Sequence, residues 1–402
     1  MRLLILTYGT DGDTRPLVAL GHALRRSGHD VRLLGDARTL GSAEELGLAN
    51  SALSGDIRQL FSDWSREGPK GTAKALVRLT NANTHAWTVE TLAAAEDCDA
   101  ILTSGLAGFI GLSVAERLGI PAIGAGMIPL TPSREFRSPF LPANLVPRWL
   151  NHASLRLTNQ LFWLAFRRSL NEARQTVLRL APRQTLPTEH PMLYGISPTI
   201  LPQPADWPAH ARLCGQWQTP AADFTPPNEL ADFLRAGPPP LYVGFGSMAG
   251  IDGQHVAKTL IAALAGRRAL FFPGWSGMDD IAMPDNILRI GITPHGWLLP
   301  RTTAVIHHGG SGTTHSATRA GRPSVVIPFA GDQPFWAERL NRLGIAPPAI
   351  NGAKLAAEPL RQAIDFVERV VVRKRAAELG KRMEREDGLA MAVDEIEKLI
   401  KR

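Results

Sequence analysis

Residues 307–314, His-His-Gly-Gly-Ser-Gly-Thr-Thr, combine the residue types that bind phosphate groups. They follow Ala304–Ile306, a short apolar run that is typical of a buried parallel strand. Glycines have no Cβ, so backbone N–H groups in this segment can approach a ligand closely. A helix that begins near Ser311 would direct its positive end at the same place, and the hydroxyls add donors. The pattern therefore predicts an anion-binding turn.

An adjacent acid and amide, Asp332 and Gln333, follow the next predicted strand, Ser324–Pro328. The carboxyl ends of parallel strands form the edge where open α/β sheets bind ligands, so we expect this pair near the anion-binding turn. An isolated turn of this kind is usually only a helix cap. The histidines, glycines and threonines together with the downstream pair favour binding of an activated, hydroxyl-rich ligand.

Other nucleotide-binding signatures fit the chain poorly. No Gly-Lys-Ser or Gly-Lys-Thr triplet is present, and the turns Gly9–Gly12 and Gly244–Gly246 lack the spacing of the dinucleotide fingerprint. Asp36 ends the second predicted strand, where an NAD-dependent oxidoreductase would hold its ribose. Because the glycine spacing before Asp36 is wrong, this alternative is remote.

A second polar turn, Gly9–Pro16, reads Gly-Thr-Asp-Gly-Asp-Thr-Arg-Pro. It follows the predicted buried strand Arg2–Tyr8, and the next helix is predicted from Pro16 to about Ser27, since proline favours helix starts. Asp13 would then lie at the carboxyl end of the first strand, where a general base could act. An aspartate beside a helix start is also a common helix cap, so both interpretations stay open.

Three blocks of the chain, 9–16, 241–248 and 294–336, resemble the family 1 glycosyltransferases. The likeness is to a bacterial branch similar to sterol glucosyltransferases and antibiotic-aglycone glycosyltransferases. It implies an α/β protein of GT-B fold, in which two doubly wound Rossmann-like domains face each other across a cleft. It also implies inverting transfer from a sugar nucleotide co-substrate, with no metal ion and no further cofactor. The chain departs from the plant signature of this family at His295 and Trp336, where glutamine and asparagine are usual.

The resemblance assigns roles to residues at matching positions. Asp13 would be the catalytic base, and Asp11 is the neighbouring alternative. Hydroxyl, imidazole and glycine residues would hold the donor diphosphate: Ser247, His308, Gly310, Gly312 and Thr313. An acid and an amide would bind the donor sugar: Asp332 and Gln333. A loop and a tryptophan would lie at the nucleobase: Ile292, Thr293 and Trp275. His307 is expected only to end its strand.

The acceptor side is less well defined by the sequence. Candidates come from two turns and one aromatic segment: Gly12, Ser104, Trp149, Phe162 and Trp163. The segment 145–180 is predicted to form one or two helices in which aromatic residues and leucines interleave with arginines. Two interpretations stay open, namely an amphipathic helix packed on the first domain, or a hydrophobic acceptor wall with a basic rim that faces a membrane.

The domain organisation follows from a proline-rich stretch at 218–240, which is predicted to be a linker. The family resemblance implies that residues 1–217 form the acceptor-binding domain and residues 241–380 the sugar-nucleotide-binding domain. It also implies that the final helix, within 381–402, crosses back to cover the first domain.

Composition limits the partners and the compartment. The net charge is +7, but no nucleic-acid-binding motif stands out, so binding to nucleic acid is disfavoured. The resemblance implies a sugar nucleotide and a hydrophobic or lipid acceptor as partners. No apolar run is long enough to span a bilayer, and the N-terminus becomes polar too early for a signal peptide. Cys98 and Cys214 lie far apart, which indicates a reducing cytoplasm. A peripheral contact with the inner face of the membrane stays open.

Asp97 and Asp99 form an Asp-X-Asp pair of the kind that holds a divalent metal in the other large glycosyltransferase fold. They directly precede the predicted strand Ala100–Thr103, which places them at the edge of the sheet away from the site. We therefore expect no metal site there.

The most specific function that the resemblance implies is transfer of a hexose to a hydroxyl of a lipophilic acceptor. The expected donor is UDP-glucose, so the expected hexose is glucose. The acceptor could be a sterol, terpenoid, lipid or natural-product aglycone. Transfer of a dTDP-deoxysugar, such as rhamnose, to a polyketide, peptide or lipid is the main alternative. A sugar-nucleotide 2-epimerase fits less well, because it would need further acid/base carboxylates near the sugar, where the chain has an Asp-Gln pair. A non-catalytic partner protein also fits less well, because Asp13, Asp332 and Gln333 are all present.

Overall fold

Two parallel β-sheets, one in each half of the chain, organise the structure. The computed structural model describes residues 1–57, 68–219, 224–246, 252–274, 278 and 281–401. The first compact unit comprises Met1–Pro198, Pro202–Thr219 and Asp387–Arg402. The second comprises Thr199–Leu201 and Pro220–Glu386. Both units have the doubly wound α/β architecture predicted from the sequence.

The sheet of the first unit has seven parallel strands within the described residues, in the order β3-β2-β1-β4-β5-β6-β7. In chain order the strands are β1 Arg2–Leu6, β2 Asp30–Asp36, β3 Ala49–Leu53, β4 Ala100–Thr103, β5 Ala122–Gly126, β6 Met192–Tyr194 and β7 Ala211–Leu213. The strand β1 is apolar on both faces and is buried at residues 3–6, as expected for a parallel strand covered by helices. The strand order reverses between β1 and β4, and such switch points are where open α/β sheets bind ligands.

Helices cover this first sheet. They are α1 Asp11–Arg26, α2 Gly41–Glu45, α3 Gly68–Ala95, α4 Gly108–Leu118, α5 Asn151–Thr176 and, from the end of the chain, α13 Gly388–Ile400. Within the first unit, α13 packs on α1: Ala392 and Ile396 share a hydrophobic core with Leu17 and Val18. The His29 Nε2 atom lies 3.0 Å from Glu397 Oε1, which adds a polar contact between α13 and the end of α1.

The second unit has a five-stranded parallel sheet in the order β10-β9-β8-β11-β12, counted over the described residues. Its strands are β8 Leu241–Gly244, β9 Ala269–Phe272, β10 Ile287–Arg289, β11 Val305–His307 and β12 Ser324–Val326. Its helices are α6 Asn228–Arg235, α7 Gly253–Leu264, α8 His295–Leu298, α9 Ser311–Arg319, α10 Gln333–Arg342, α11 Ala357–Glu368 and α12 Val370–Glu384. Here the order reverses between β8 and β11, so the turn at 307–314 leaves the sheet at its switch point.

Several predicted boundaries differ from the structure. The helix predicted from Pro16 begins at Asp11, which places Asp13 in its first turn and Pro16 inside it. The predicted linker 218–240 contains α6, because Leu230 and its apolar neighbours pack against Tyr242 in the second unit. Residues 381–386 belong to the second unit rather than to the crossing segment, since α12 continues to Glu384.

None of the helices in the described ranges combines the length and the apolarity that a bilayer span requires.

Candidate active site

The turn between β11 and α9 presents backbone donors at the carboxyl edge of the second sheet. The strand ends at His307, Gly310 is the N-cap residue, and α9 begins at Ser311. The Thr314 N–H donates to the Gly310 carbonyl at 3.0 Å, so the N–H groups of residues 311–313 precede the first intrahelical bond. A Cβ added to Gly312 would meet no atom within 4 Å, so space adjoins this helix end. Such an end binds anions through its N–H groups and its dipole.

The same turn is packed tightly against the acid–amide segment. Gly309 has φ +96°, a left-handed conformation that favours glycine. A Cβ at Gly309 would lie 2.8 Å from Val326 Cγ1 and 3.0 Å from the Gln333 backbone oxygen. The structure therefore brings two motifs together that are separated by about twenty residues in the chain, and only glycine permits this approach.

The His308 imidazole is held between two glycines. A Cβ at Gly310 would lie 2.5 Å from His308 Nε2, and a Cβ at Gly246 would lie 3.0 Å from its Cε1. Burial lowers the pKa of His308 to about 4, with His295 adding to this effect and the Gly244 carbonyl opposing it. The ring is therefore neutral at pH 7 and carries one N–H donor. A neutral donor beside a helix N-terminus suits a bound phosphate oxygen.

His307 has a structural contact instead. Its side chain is fully buried, and its Nδ1 atom accepts a 3.1 Å hydrogen bond from the Gly309 backbone N–H. Burial lowers the pKa of His307 well below its ordinary value, so this ring is also neutral. His307 ends β11, as the sequence indicated, and it stabilises the turn that presents His308.

Asp332 and Gln333 are oriented by separate hydrogen bonds at the start of α10. The indole Nε1–H of Trp336 donates to Asp332 Oδ2 at 2.6 Å. The backbone N–H groups of Phe329 and Ala330 donate to Gln333 Oε1 at 2.7 and 3.0 Å. Because the side-chain oxygen of Gln333 accepts these two bonds, the NH₂ group is the part of this side chain that can donate to a ligand. The pair thus combines a carboxylate with an amide donor, which suits a polyol.

Sequence reasoning missed His315 and noted Trp336 only as a departure from the family signature. Trp336 is fully buried, and its ring meets the His315 ring edge-on with centroids 5.2 Å apart. His315 Nδ1 lies 2.7 Å from the Ser311 carbonyl oxygen and donates to it. These contacts connect the first turn of α9 with the Asp332 carboxylate. The i, i+4 spacings of Ser311 with His315 and of Asp332 with Trp336 were the signal that could have revealed them.

In the first unit, Asp13 lies in the first turn of α1 and is half-buried. Its Oδ2 atom accepts hydrogen bonds from the Thr10 N–H at 2.8 Å and from the Thr10 hydroxyl at 3.1 Å. A Cβ at Gly9 would lie 2.4 Å from Oδ2, so glycine is needed there. Burial raises the pKa of Asp13, and the two bonds from Thr10 partly offset this effect. Thr10 is the N-cap residue and Asp13 is the third residue of the helix, where its Oδ2 accepts from the N-cap backbone in a capping box. The Oδ1 atom has no hydrogen bond among the described residues.

Ser104 lies on the loop beside this turn. Its backbone N–H donates to the Leu6 carbonyl at 2.9 Å, and the Leu106 N–H donates to the Tyr8 carbonyl at 3.0 Å. Gly12 is exposed on the first turn of α1. The loops after β1 and β4 thus pack together at the switch point of the first sheet, which places Ser104 on the same sheet edge as Asp13.

The three aromatic acceptor candidates have different environments. Trp163 was predicted to contact the acceptor, but this is wrong: its side chain is fully buried in the core, with its ring against Phe109 and its indole N–H donating to Gln184 O at 3.4 Å. Phe162 is partly buried and packs edge-on against Phe140. Trp149 is 80% exposed. Trp163 and Trp149, from the same predicted aromatic segment, therefore differ completely in exposure.

The nucleobase candidates are only partly described. Ile292 is 74% exposed, and the Thr293 hydroxyl donates to the Gly291 carbonyl at 3.1 Å. Both follow β10, the edge strand of the second sheet. Ser247, predicted at the diphosphate, and Trp275, predicted at the nucleobase, lie outside the described residues.

Asp36 and Asp97, two acids considered in the sequence analysis, have partners that indicate a structural role. The Asp36 carboxylate accepts hydrogen bonds from the backbone N–H groups of Arg38 and Ile57 at 2.9 and 2.8 Å, which leaves it unsuited to a ribose. Asp97 forms ion pairs with Arg2 and Arg32, each at 3.0 Å. Over the ranges that the structure covers, no cluster of three metal-ligating side chains occurs.

Comparison with known proteins decides the family. A family model described as the C-terminal domain of erythromycin biosynthesis protein CIII-like matches residues 268–398. Sterol 3-beta-glucosyltransferase UGT80B1 of Arabidopsis thaliana is 32% identical over 425 residues, which cover 98% of this chain and 67% of that protein. The chain belongs to the family 1 glycosyltransferases.

Other members of the family are longer than this chain. It covers 64% of a second sterol 3-beta-glucosyltransferase of Arabidopsis thaliana at 30% identity, and 28% of the one of Yarrowia lipolytica at 30% identity. The chain thus spans only part of the length of these relatives.

Solved structures of glycosyltransferases share the fold. The chain matches VinC, solved in complex with dTDP, with a TM-score of 0.71 and 19% identity, covering 100% of both chains. It matches the kitacinnamycin glycotransferase with a TM-score of 0.71 and 18% identity, covering 99% of both chains. The predicted GT-B fold, with two Rossmann-like domains, is confirmed.

Proposed function

We propose that this glycosyltransferase moves glucose from UDP-glucose to a hydroxyl of a lipophilic acceptor. One observation carries the proposal: the glycine-rich turn at 307–314 packs directly against the segment that contains Asp332 and Gln333, since a Cβ at Gly309 would lie 3.0 Å from the Gln333 backbone oxygen. A diphosphate and a sugar attached to it need such adjacent groups. The likeness to sterol 3-beta-glucosyltransferases over 98% of the chain supports glucose and a sterol-like acceptor.

In the proposed reaction, the acceptor oxygen attacks the anomeric carbon as the bond from that carbon to the diphosphate breaks. Asp13 accepts the proton that the acceptor hydroxyl loses. Since attack and departure occur on opposite faces of the sugar, the anomeric configuration inverts. The Oδ1 atom of Asp13 is the proposed proton acceptor, because Oδ2 already accepts two hydrogen bonds from Thr10.

The departing diphosphate carries the developing negative charge. We assign its stabilisation to the N–H groups at the start of α9, the neutral His308 imidazole and the hydroxyl of Thr313. Donors that are already oriented before the reaction stabilise such charge without reorganisation. Ser247, which the family resemblance also assigns to the diphosphate, belongs to this proposal on the sequence alone. The proposal includes no metal ion and no cofactor other than the sugar nucleotide.

The donor is tested directly by ligand-dependent stabilisation. We expect UDP and UDP-glucose to raise the melting temperature, since a ligand bound by the folded state alone stabilises it by about 2.7 kcal/mol at a hundred times its Kd. A thermal-shift screen should compare UDP, dTDP, GDP and their sugars, and the best donor should then be tried with a sterol in EDTA-containing buffer.

A larger shift with dTDP and its deoxysugars would favour the alternative donor class. Formation of a steryl glucoside in EDTA would support the proposal in full. Strict dependence on a divalent ion would contradict the assignment of the leaving-group charge to protein donors. Interconversion of the sugar nucleotide without transfer would favour an epimerase instead.

Trp336→Phe tests how the sugar is held. The substitution removes the indole donor that orients Asp332 and retains an aromatic ring. We expect affinity for UDP-glucose to fall by up to about 100-fold, because a misoriented carboxylate loses part of its hydrogen bond to the sugar, and hydrogen bonds to charged groups contribute about 1.5–3 kcal/mol. Affinity for UDP, which lacks the sugar, should be unchanged. Calorimetric titration with both ligands measures the difference.

Trp297→Phe is the matched control for this substitution. The Trp297 ring packs against the Arg301 guanidinium at 4.2 Å and meets the Phe224 ring, so its replacement should leave both affinities unchanged. Equal loss of UDP and UDP-glucose binding in Trp336→Phe would show that the indole supports the whole site rather than the sugar acid.

A further inference from the structure

The outer face of α5 carries an exposed apolar stripe. Trp149, in the turn before the helix, is 80% exposed, and Leu157, Leu161 and Leu164 are 54, 55 and 47% exposed. Spacings of four and three residues place the leucines on one side of the helix. The three leucines extend about 10 Å along the helix, at 1.5 Å per residue, and Trp149 lies in the 3₁₀ turn Arg148–Leu150 that precedes it. Single exposed leucines are ordinary at a protein surface, but a continuous stripe indicates an interaction site.

The same surface is strongly basic. Residues 136–171 contain no aspartate or glutamate. Four arginines of this segment are exposed and have no ion pair among the described residues: Arg148, Arg156, Arg167 and Arg168. Unpaired arginines around an apolar stripe would meet an anionic surface favourably.

The inner face of α5 holds the helix in place. Leu155, Trp163 and Leu170 are buried, and Asn81 on α3 donates to the Ala165 carbonyl at 3.0 Å. The stripe is therefore preformed on a packed helix. It does not have to fold upon binding, which removes the ordering cost that a disordered segment would incur.

We infer that the Trp149–Leu164 stripe with its four arginines is a docking surface for an anionic phospholipid bilayer. Tryptophan is favoured at the interface between water and hydrocarbon, and leucines insert while arginines contact the headgroups. Charge disfavours a second copy of the chain as the occupant, because a symmetric contact would bring the four arginines of both copies together, with Glu172 as the acid that lies beside Arg168. The inference does not depend on the proposed reaction, since neither donor nor acceptor takes part.

Vesicle sedimentation tests this docking surface with the full chain and no substrate. We expect binding to vesicles of phosphatidylcholine and phosphatidylglycerol in equal parts, much weaker binding to phosphatidylcholine alone, and loss of binding as salt increases. Trp149→Ala should lower the partition coefficient about tenfold, as expected for one large apolar side chain. The triple variant Arg156→Gln, Arg167→Gln, Arg168→Gln should lower it about a hundredfold, since each charge contributes roughly 1 kcal/mol near an anionic surface.

A double variant, Val370→Ser and Val371→Ser, is the matched control. These valines are 60 and 71% exposed at the start of α12, beside the basic residues Arg373 and Lys374, so they offer an apolar and basic patch elsewhere. Their replacement should leave vesicle binding unchanged, and melting curves should show that every variant is folded. Absence of wild-type binding to the anionic vesicles, or equal loss in the control, would overturn the inference. So would light scattering that shows a dimer lost in Trp149→Ala, because the stripe would then bind a second copy.

Discussion

Asp13→Asn is expected to lower the rate of sugar transfer by about 10²- to 10⁴-fold, the usual contribution of a general base. An asparagine amide cannot accept the acceptor proton, but its oxygen can still accept the hydrogen bonds from Thr10 that Oδ2 receives. The helix start should therefore persist. Nucleotide affinity should be unchanged, because Asp13 belongs to the first unit and the donor turn to the second. Turnover measurements with calorimetry of UDP binding separate the two effects.

Asp11→Asn is the control for this substitution. Asp11 lies on the same first turn and its carboxylate is 3.7 Å from the Arg15 guanidinium, so the change alters local charge without removing the proposed base. We expect turnover within a few fold of the wild type. If Asp11→Asn is inactive and Asp13→Asn is active, the base is Asp11.

The pH profile gives an independent test of the base. Only the ionised carboxylate can accept a proton, and burial raises the pKa of Asp13 above the ordinary value of 3.8. Activity should therefore be complete at pH values above this raised pKa. It should decline as the pH falls through it, beginning at a higher pH than for an ordinary aspartate. A profile that declines only with rising pH would contradict the assignment.

His308→Ala is expected to weaken binding of the nucleoside diphosphate about 10- to 100-fold. The imidazole donates to a charged phosphate in the proposed complex, and a hydrogen bond to a charged group contributes about 1.5–3 kcal/mol. The pKa of about 4 belongs to the ring without ligand, and the negative charge of a bound diphosphate would raise it, so an equal loss at pH 6 and pH 8 is expected only if the ring stays neutral in the complex. Calorimetric titration with UDP at both pH values measures it.

Gly246 and Gly310 hold the His308 ring closely, so His308→Ala leaves space without introducing a clash, and the variant should remain folded. His255→Ala, an exposed histidine on α7 of the same unit, is the control and should bind UDP as the wild type does. Unchanged UDP affinity in His308→Ala would remove the imidazole from the diphosphate site. A loss that grows as the pH falls would indicate a charged ring.

Much of the fold and half of the candidate site could be predicted from the sequence. Continuous apolar runs identified β1 and β11 because parallel strands are buried on both faces. Glycine, histidine and hydroxyl residues identified the turn at 307–314, since the anion-binding geometry of a helix start depends on residues that are neighbours in the chain. Asp332 and Gln333 followed from the rule that carboxyl ends of strands share one edge.

In the segment 145–180, the sequence did not predict which aromatic residues are buried. Its periodicity predicted an amphipathic helix, but it did not distinguish Trp163 from Trp149. Both were predicted to contact the acceptor. Packing on α3 and α4 buried the first completely, while the second is 80% exposed. Local spacing shows which residues share a face, and only the neighbours of that face determine its burial.

The sequence by itself determined the family and the two Rossmann-like domains. It also determined the residues proposed to act as the base, to donate hydrogen bonds to the diphosphate and to bind the sugar. Tertiary structure alone showed that His315 and Trp336 connect the phosphate helix to the Asp332 carboxylate. The crossing of the last helix to the first domain was expected from the family resemblance, and the structure identified α1 as the helix on which it packs. The physical reason is the range of the interactions. A turn or a cap depends on adjacent residues, whereas the position of a buried ring or a crossing helix depends on surfaces that are distant in the chain.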